Sequence, residues 1–361
     1  MEKLRVAVVG CGGIANGKHL PSLRAVKDIE LVAFCDIIIE RAEKAAKEYG
    51  IEGARVYKCY RELLEKEKPD VVHVCTPNRS HSEISIAAME AGAHVLCEKP
   101  MAINEAEAKA MVECANRTGK TLSIGYQSRY RADSQYLKAE CEKGALGEIY
   151  FAKAHAIRRR AVPTWGVFLN EEEQGGGPLV DIGTHALDLT LWMMDNYTPK
   201  YCVGTKYRKL AGQKGNTGNS WGDWDPEKFT VEDSCFGFVV MENGATIILE
   251  SSWALNTLDV IEASTSLSGT KAGADMRDGL RINGVENGRQ YVLKPDFKAG
   301  GVAFYDGDQG ASPATIEALQ FYNAIRTGTK PCVLPEQAYV VSAILDGIYK
   351  SANSGKPHYF N

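Results

Sequence analysis

Between Arg5 and Gly125, short apolar runs alternate with longer stretches of helical periodicity. Arg5 to Val9, Leu31 to Cys35, Ala54 to Tyr57, Val71 to Cys75, His94 to Cys97 and Thr121 to Ile124 read as strands, and Gly13 to Val26, Ile38 to Tyr49, Tyr60 to Glu67, His81 to Ala91 and Glu105 to Arg117 read as helices. Runs such as Val71-Val72-His73-Val74-Cys75, apolar on both faces, fit strands of a parallel sheet covered on both sides. The alternation predicts an α/β, doubly wound sheet.

Beyond Gly125 the pattern changes. A helical segment from Asp133 to Lys143 ends at Gly144, and a strand-like run from Ile149 to Ile157 follows. Glycines 175 to 177 lead into an apolar helix from Leu179 to Met194, after which Cys235 to Met241, Thr246 to Trp253 and Val260 to Ser266 follow one another as strands. Strands in succession predict a mainly antiparallel sheet. The Gly-, Asn- and Trp-rich stretch from Lys206 to Lys228 reads as a surface loop or lid, and Pro313 to Ser354 returns to helical periodicity. Two domains are expected, residues 1–125 and 126–361, with the C-terminal helices packing back on the first; 361 residues exceed what one core usually holds.

Composition changes this picture little. The chain is 44% hydrophobic and 24% charged with a formal net charge of -4, a balance that points to no nucleic-acid or membrane partner. No apolar run has the length of a membrane span, and none at the N-terminus resembles a signal peptide. The ten cysteines show no CxxC pair, so reduced buried thiols in a cytoplasmic protein are expected, without disulfides or a metal site.

The chemistry starts at Gly10-x-Gly12-x-x-Ala15. Between a strand and a helix, Gly10 permits a tight turn, Gly12 with Gly13 and Ile14 lets the backbone approach a pyrophosphate, and the helix N-terminus offers free N–H groups. This is the dinucleotide fingerprint of a Rossmann domain. Asp36, at the end of the second strand, matches the acidic residue that accepts bonds from the adenosine ribose and repels a 2′-phosphate, which favours NAD over NADP. A cap for the helix starting near Ile38 is its alternative role, and Arg41 is placed to soften the preference. Thr76, Asn78 and His81 follow the fourth strand, at the carboxyl edge where such sheets bind ligands, as ribose or nicotinamide contacts.

Cys97-Glu98-Lys99-Pro100 closes the fifth strand at the same edge, which puts Glu98 and Lys99 among the cofactor contacts and makes Lys99 a candidate to reach a substrate hydroxyl. In the second half, Asp181 and His185 stand at i and i+4 behind the glycine-rich entry, so a carboxylate orients an imidazole able to take a hydroxyl proton. Trp165, in the Pro163-Thr164-Trp165-Gly166 loop, offers a flat face to a sugar or nicotinamide, and Gln127 at the junction is a further cofactor contact. Arg158 to Arg160 read equally well as a solvated basic run.

Taken together, the glycine loop, Glu98-Lys99-Pro100, Gly125-Tyr126-Gln127 and Asp181-x-x-x-His185 resemble the Gfo/Idh/MocA family of oxidoreductases over nearly the whole chain. The resemblance implies a C-terminal α/β domain with a large open, mainly antiparallel sheet that often mediates homodimers or homotetramers. It also implies NAD(P)-linked oxidation or reduction of sugars and cyclitols, with Lys99, Asp181 and His185 as the catalytic set. The stretch from His155 to Phe168 looks like a branch that includes glycoside 3-dehydrogenases of the puerarin-oxidising type. The expected activity is hydride transfer between NAD and a secondary hydroxyl of a sugar, glycoside or cyclitol, with C3 of a glycoside as the candidate position. A second expectation is an NAD-retaining enzyme that cleaves glycosides by transient oxidation and elimination; a third is an NAD-binding regulatory protein without turnover.

Overall fold

The computed structural model describes residues 3–297 and 311–360. The chain divides into two compact units, Met1–Tyr130 with Asp308–Tyr339, and Arg131–Gly307 with Val340–Asn361.

In the first unit, β1 (Leu4–Val9), β2 (Ile29–Cys35), β3 (Arg55–Tyr57), β4 (Val71–Val74), β5 (His94–Cys97) and β6 (Leu122–Ile124) form one parallel sheet. Its order is β3-β2-β1-β4-β5-β6, which is the Rossmann order, with the switch point between β1 and β4. Every residue of β4 is buried, as a strand covered on both faces requires. The connecting helices are α1 (Leu20–Leu23), α2 (Ile39–Tyr49), α3 (Tyr60–Glu67), α4 (His81–Glu90) and α5 (Glu105–Thr118). A π-helical turn, Ala15–His19, runs straight into α1. Asn104 caps α5 by accepting the Glu107 N–H at 2.9 Å.

The second unit opens with α6 (Ala132–Glu142) and β7 (Ile149–Ile157), then the short α7 (Glu171–Gln174), a second π-helical turn at Leu179–Gly183 and α8 (Thr184–Met194). Next come β8 (Pro199–Tyr207), β9 (Ser234–Met241), β10 (Thr246–Ser252), β11 (Ile261–Gly269), β12 (Ala272–Asp275), β13 (Arg281–Glu286) and β14 (Arg289–Leu293). The helix α9 (Pro313–Thr327) belongs to the first unit, and α10 (Pro335–Ser354) and the two-residue β15 (His358–Tyr359) follow it. Nine strands make one mixed, mainly antiparallel sheet in the order β14-β13-β12-β11-β7-β10-β9-β8-β15.

One pair departs from the expected antiparallel pattern. β10 lies parallel to β7, Thr246 opposite Phe151 through Ser252 opposite Ile157, because α8, β8 and β9 intervene between them. The stretch expected as a loop or lid begins two residues later than anticipated, since Lys206 and Tyr207 still belong to β8. The remainder is pinned: the Asn219 side chain bonds both the N–H and the carbonyl of Val162, and the Trp224 indole donates to Ala211 O at 2.9 Å. No disulfide joins the ten cysteines, seven of which are buried. Among the described residues no helix is long and apolar enough to cross a membrane.

Candidate active site

In the first unit, the glycines of the first loop separate into two kinds. Gly10 has φ +89°, and a Cβ there would lie 2.5 Å from the carbonyl oxygen of Cys75, so the crossing of the β1 and β4 backbones itself demands glycine. A Cβ on Gly12 or Gly13 would meet nothing within 4 Å, and neither has a positive φ. The protein's own packing gives no reason for glycine at these two positions. Open space in front of a helix N-terminus is what a dinucleotide pyrophosphate requires, so the residues fit the cofactor. Ile14, 41% exposed, borders the same opening.

Asp36 follows β2 and is buried. Its Oδ2 accepts the Cys11 N–H and its Oδ1 the Ile38 N–H, both at 2.8 Å, so it ties the glycine loop to the entry of α2. Each oxygen retains a lone pair for a ribose hydroxyl. Arg41 on α2 and Gln127, which opens the helical turn after β6, are exposed. The Thr76 hydroxyl is buried with no hydrogen-bond partner among the described residues, a polar atom at this edge that fits a ligand group. Asn78 is buried beside it.

His81 and Glu98, expected as cofactor contacts, both engage groups of the protein itself. The His81 ring is fully buried, with Nε2 2.9 Å from the carbonyl of Thr76 and Nδ1 2.8 Å from that of Pro100. It clasps the loops after β4 and β5 together, and burial lowers its pKa despite the two carbonyls. Glu98 is turned into the protein: Oε1 accepts from Lys18 Nζ at 2.7 Å and His19 Nε2 at 2.8 Å, and Oε2 accepts the Lys99 N–H at 3.2 Å. Burial opposes its ionisation, but the Lys18 ammonium and the His19 bond hold its pKa well below the usual carboxylate range.

The network continues inward. Lys18 Nζ also meets Glu317 Oε2 at 2.9 Å, His19 Nδ1 lies 2.8 Å from His73 Nδ1, and His73 Nε2 lies 3.0 Å from the Tyr322 hydroxyl. Burial, His19 and Lys18 push the His73 pKa well below 6.5. The Glu98 carboxylate only accepts, so His19 Nε2 is the donor to it, and His19, His73 and Tyr322 continue from there as one connected chain of hydrogen bonds. Half-buried Lys99 therefore stands on a main chain anchored by residues from β4, the first helix and α9.

In the second unit, Asp181 lies in the π turn and His185 in the first turn of α8. Such turns are rare and often sit at functional sites. Asp181 Oδ2 accepts the indole N–H of the fully buried Trp253 at 3.0 Å, and Arg158 Nη1 lies 3.9 Å from the same oxygen. Arg158 itself forms a two-pronged pair with Glu262, at 2.6 and 2.5 Å, so it belongs to the site and not to a solvated basic run. The glycine-rich entry also has an internal cause. A Cβ on Gly176 would lie 2.0 Å from the Tyr349 hydroxyl and one on Gly177 2.3 Å from the Glu232 carbonyl. These glycines make room for Glu232, whose carboxylate accepts from the N–H groups of Gly177 and Leu179 and from the Tyr349 hydroxyl, holding the head of the Asp181–His185 segment. Trp165 is 51% exposed on its loop. Among the described residues no three His, Cys, Asp or Glu side chains are grouped to hold a metal ion.

Comparison with known proteins places this geometry. Residues 4–126 match the model of an oxidoreductase family with an NAD-binding Rossmann fold, and residues 134–275 match the GFO/IDH/MocA C-terminal domain. The chain belongs to the Gfo/Idh/MocA oxidoreductase family. It is 37% identical to D-glucoside 3-dehydrogenase of Escherichia coli over 354 residues, covering 98% of this chain and 96% of that one. Among solved structures its fold is similar to an oxidoreductase domain protein from Kribbella flavida, with TM-score 0.85, 22% identity and full coverage of both chains. It is likewise similar to levoglucosan dehydrogenase in complex with NADH and L-sorbose, with TM-score 0.80, 21% identity and 98% coverage of each chain.

For this family member, sequence reasoning missed Glu232 and Trp253. Neither belongs to a spaced motif; the only hint of Glu232 is an acidic pair, Glu232-Asp233, placed directly before an apolar strand.

Proposed function

We propose that the chain is an NAD-dependent dehydrogenase that oxidises a secondary hydroxyl of a glycoside, with C3 of the sugar as the reacting carbon. The observation that carries this reading is the 37% identity, over nearly the full length of both chains, to a D-glucoside 3-dehydrogenase, together with Lys99, Asp181 and His185 in the elements described. Asp36 supports NAD over NADP, since its carboxylate, fixed by two main-chain N–H groups, repels a 2′-phosphate.

Gly12, Gly13 and the following helix N-terminus would hold the pyrophosphate, with Asp36 at the ribose and Thr76 and Asn78 toward the nicotinamide end. A bound nicotinamide supplies the hydride acceptor. His185 takes the hydroxyl proton as the C–H bond breaks and the carbon becomes a ketone, and Asp181 orients it. The Trp253 and Arg158 contacts keep Asp181 in place. Lys99 donates a hydrogen bond to the reacting oxygen, and the Glu98 anchor fixes its main chain.

The test is purified protein with NAD or NADP and a panel of methyl and aryl glucosides, free hexoses and inositols, following nicotinamide absorbance and aglycone release. Oxidation of glucosides with NADH accumulation supports the proposal. Aglycone release without NADH would replace it with a cofactor-retaining cleavage enzyme, and no turnover on any of them, with cofactor bound, would overturn the enzymatic reading for these substrates. Lys99→Met should lower kcat at least about a hundredfold, the scale of a lost acid–base or polarising group, with little change in NAD affinity. Unchanged kcat would remove Lys99 from the mechanism.

A further inference from the structure

Of the five tryptophans, three are buried in the cores, but Trp165 and Trp221 leave 51% and 44% of their surface in solvent. They touch each other edge to face, with ring centroids 4.9 Å apart and planes at 81°. Trp165 meets Phe168 at 5.9 Å, Phe168 meets Trp253 at 6.4 Å, and Trp253 holds Asp181. On the other side the Arg158 guanidinium lies 5.4 Å from the Trp221 ring centre and 3.9 Å from Asp181. These six side chains close a circuit. Adding the two Arg158 distances and one C–N bond, the Trp221 ring centre lies no more than about 11 Å from the Asp181 carboxylate. The corner is preformed: the Thr164 hydroxyl donates to the Trp221 carbonyl at 2.7 Å, and the Arg158 pair with Glu262 fixes the cation over the Trp221 ring.

We propose that Trp165 and Trp221 form a subsite for a flat, apolar aglycone, an aromatic ring joined through the glycosidic oxygen to the sugar that reacts at His185. The proposal rests on the reading of Asp181 and His185 as the reacting centre. Two indoles at right angles make an apolar corner with few hydrogen-bond donors, which suits an aromatic ring and leaves the periphery of a free sugar unsatisfied. Arg158 is neutralised by Glu262, so the corner calls for no charged ligand. The bound of about 11 Å keeps the corner within reach of a second ring beyond the reacting one.

The experiment compares wild type, Trp221→Ala and Trp221→Phe with phenyl and methyl glucosides of the same anomeric configuration, measuring calorimetric Kd and, with NAD, kcat/KM. The wild type should favour the phenyl glucoside. The phenyl-to-methyl ratio of kcat/KM should fall about tenfold in Trp221→Ala, mainly through KM, and partly recover in Trp221→Phe. A ratio that Trp221→Ala leaves unchanged overturns the subsite, and so does a loss expressed as weaker NAD binding. If neither glucoside is oxidised but phenyl glucoside binding depends on Trp221, the dehydrogenase reading fails and the subsite stands. If both are oxidised with an unaltered ratio, the subsite fails and the dehydrogenase reading stands.

Discussion

Gly10 and Gly12, two residues apart in one loop, should respond in opposite ways to the same added methyl group. At Gly10 an alanine must hold φ near +89°, which costs about 1–2 kcal/mol. Its Cβ would lie 2.5 Å, 2.6 Å and 2.8 Å from the Cys75 oxygen, the Cys75 carbon and the Thr76 nitrogen, all backbone atoms just past the end of β4, and forcing them apart adds roughly 1–3 kcal/mol. Gly10→Ala should therefore lose about 2–5 kcal/mol of a total near 5–15 kcal/mol. At Gly12 the methyl meets nothing and the backbone needs no positive φ, so Gly12→Ala should keep full stability or gain up to about 1 kcal/mol through the unfolded chain. Its cost falls on the dinucleotide. Displacing a pyrophosphate from even one charge-assisted N–H bond, at about 1.5–3 kcal/mol, weakens NAD binding by at least about tenfold. Urea unfolding followed by circular dichroism gives the first pair of numbers, and NADH fluorescence titration gives the second. Gly12→Ala binding NADH within twofold of wild type would refute the assignment of that opening to the pyrophosphate, and Gly10→Ala within 1 kcal/mol of wild type would refute the backbone crossing.

Asp36→Ala removes the acceptor of the Cys11 and Ile38 N–H groups and the charge facing the ribose, so stability should fall by about 1–2 kcal/mol and the NAD-to-NADP affinity ratio should drop several-fold. An unaltered ratio in fluorescence titration would leave Asp36 as a loop tether alone. Buried His73 and His81 have pKa values below 6.5 in the folded chain, whereas the unfolded chain takes up their protons near 6.5. Stability should be flat above that pH and fall below it, by up to about 1.4 kcal/mol per pH unit for each histidine. Urea midpoints constant from pH 7.5 to 5.5 would contradict the burial of both. Of ten cysteines only Cys59 is exposed, and burial pushes Cys11 and Cys35 up to about 12, so Ellman titration of the native protein should find one fast thiol and guanidinium should release all ten. Four or more fast thiols would show the cores to be open.

The parallel sheet was legible because its strands are covered on both faces and leave continuous apolar runs; β5 and α3 have the bounds the pattern predicts. β12, β13 and β14 were not, since they carry Gly, Asn and Arg, and every residue of β14 is exposed; their strand character comes from the neighbours they pair with. Asp36, Lys99, Asp181 and His185 could be picked out because their place at a strand end or helix head is set by local sequence. The partners of Glu98 were not legible, because Lys18 and His19 come from 80 and 79 positions away and no periodicity reports such a pairing. The triple glycine was legible as the entry to a helix, but not the groups that crowd it, Tyr349 at Gly176 and Glu232 at Gly177.

The chain of hydrogen bonds from Tyr322 through His73 and His19 to Glu98 restricts how this sequence can drift. The first and last residues are 224 positions apart, Tyr322 against Glu98. Replacing Tyr322 by phenylalanine leaves a buried imidazole nitrogen without its partner, and replacing His73 by an aliphatic residue strands both its neighbours. Single steps away are costly whereas joint ones are not. In related chains these four positions should change as a block, all polar or all apolar, and mixed combinations should be scarce.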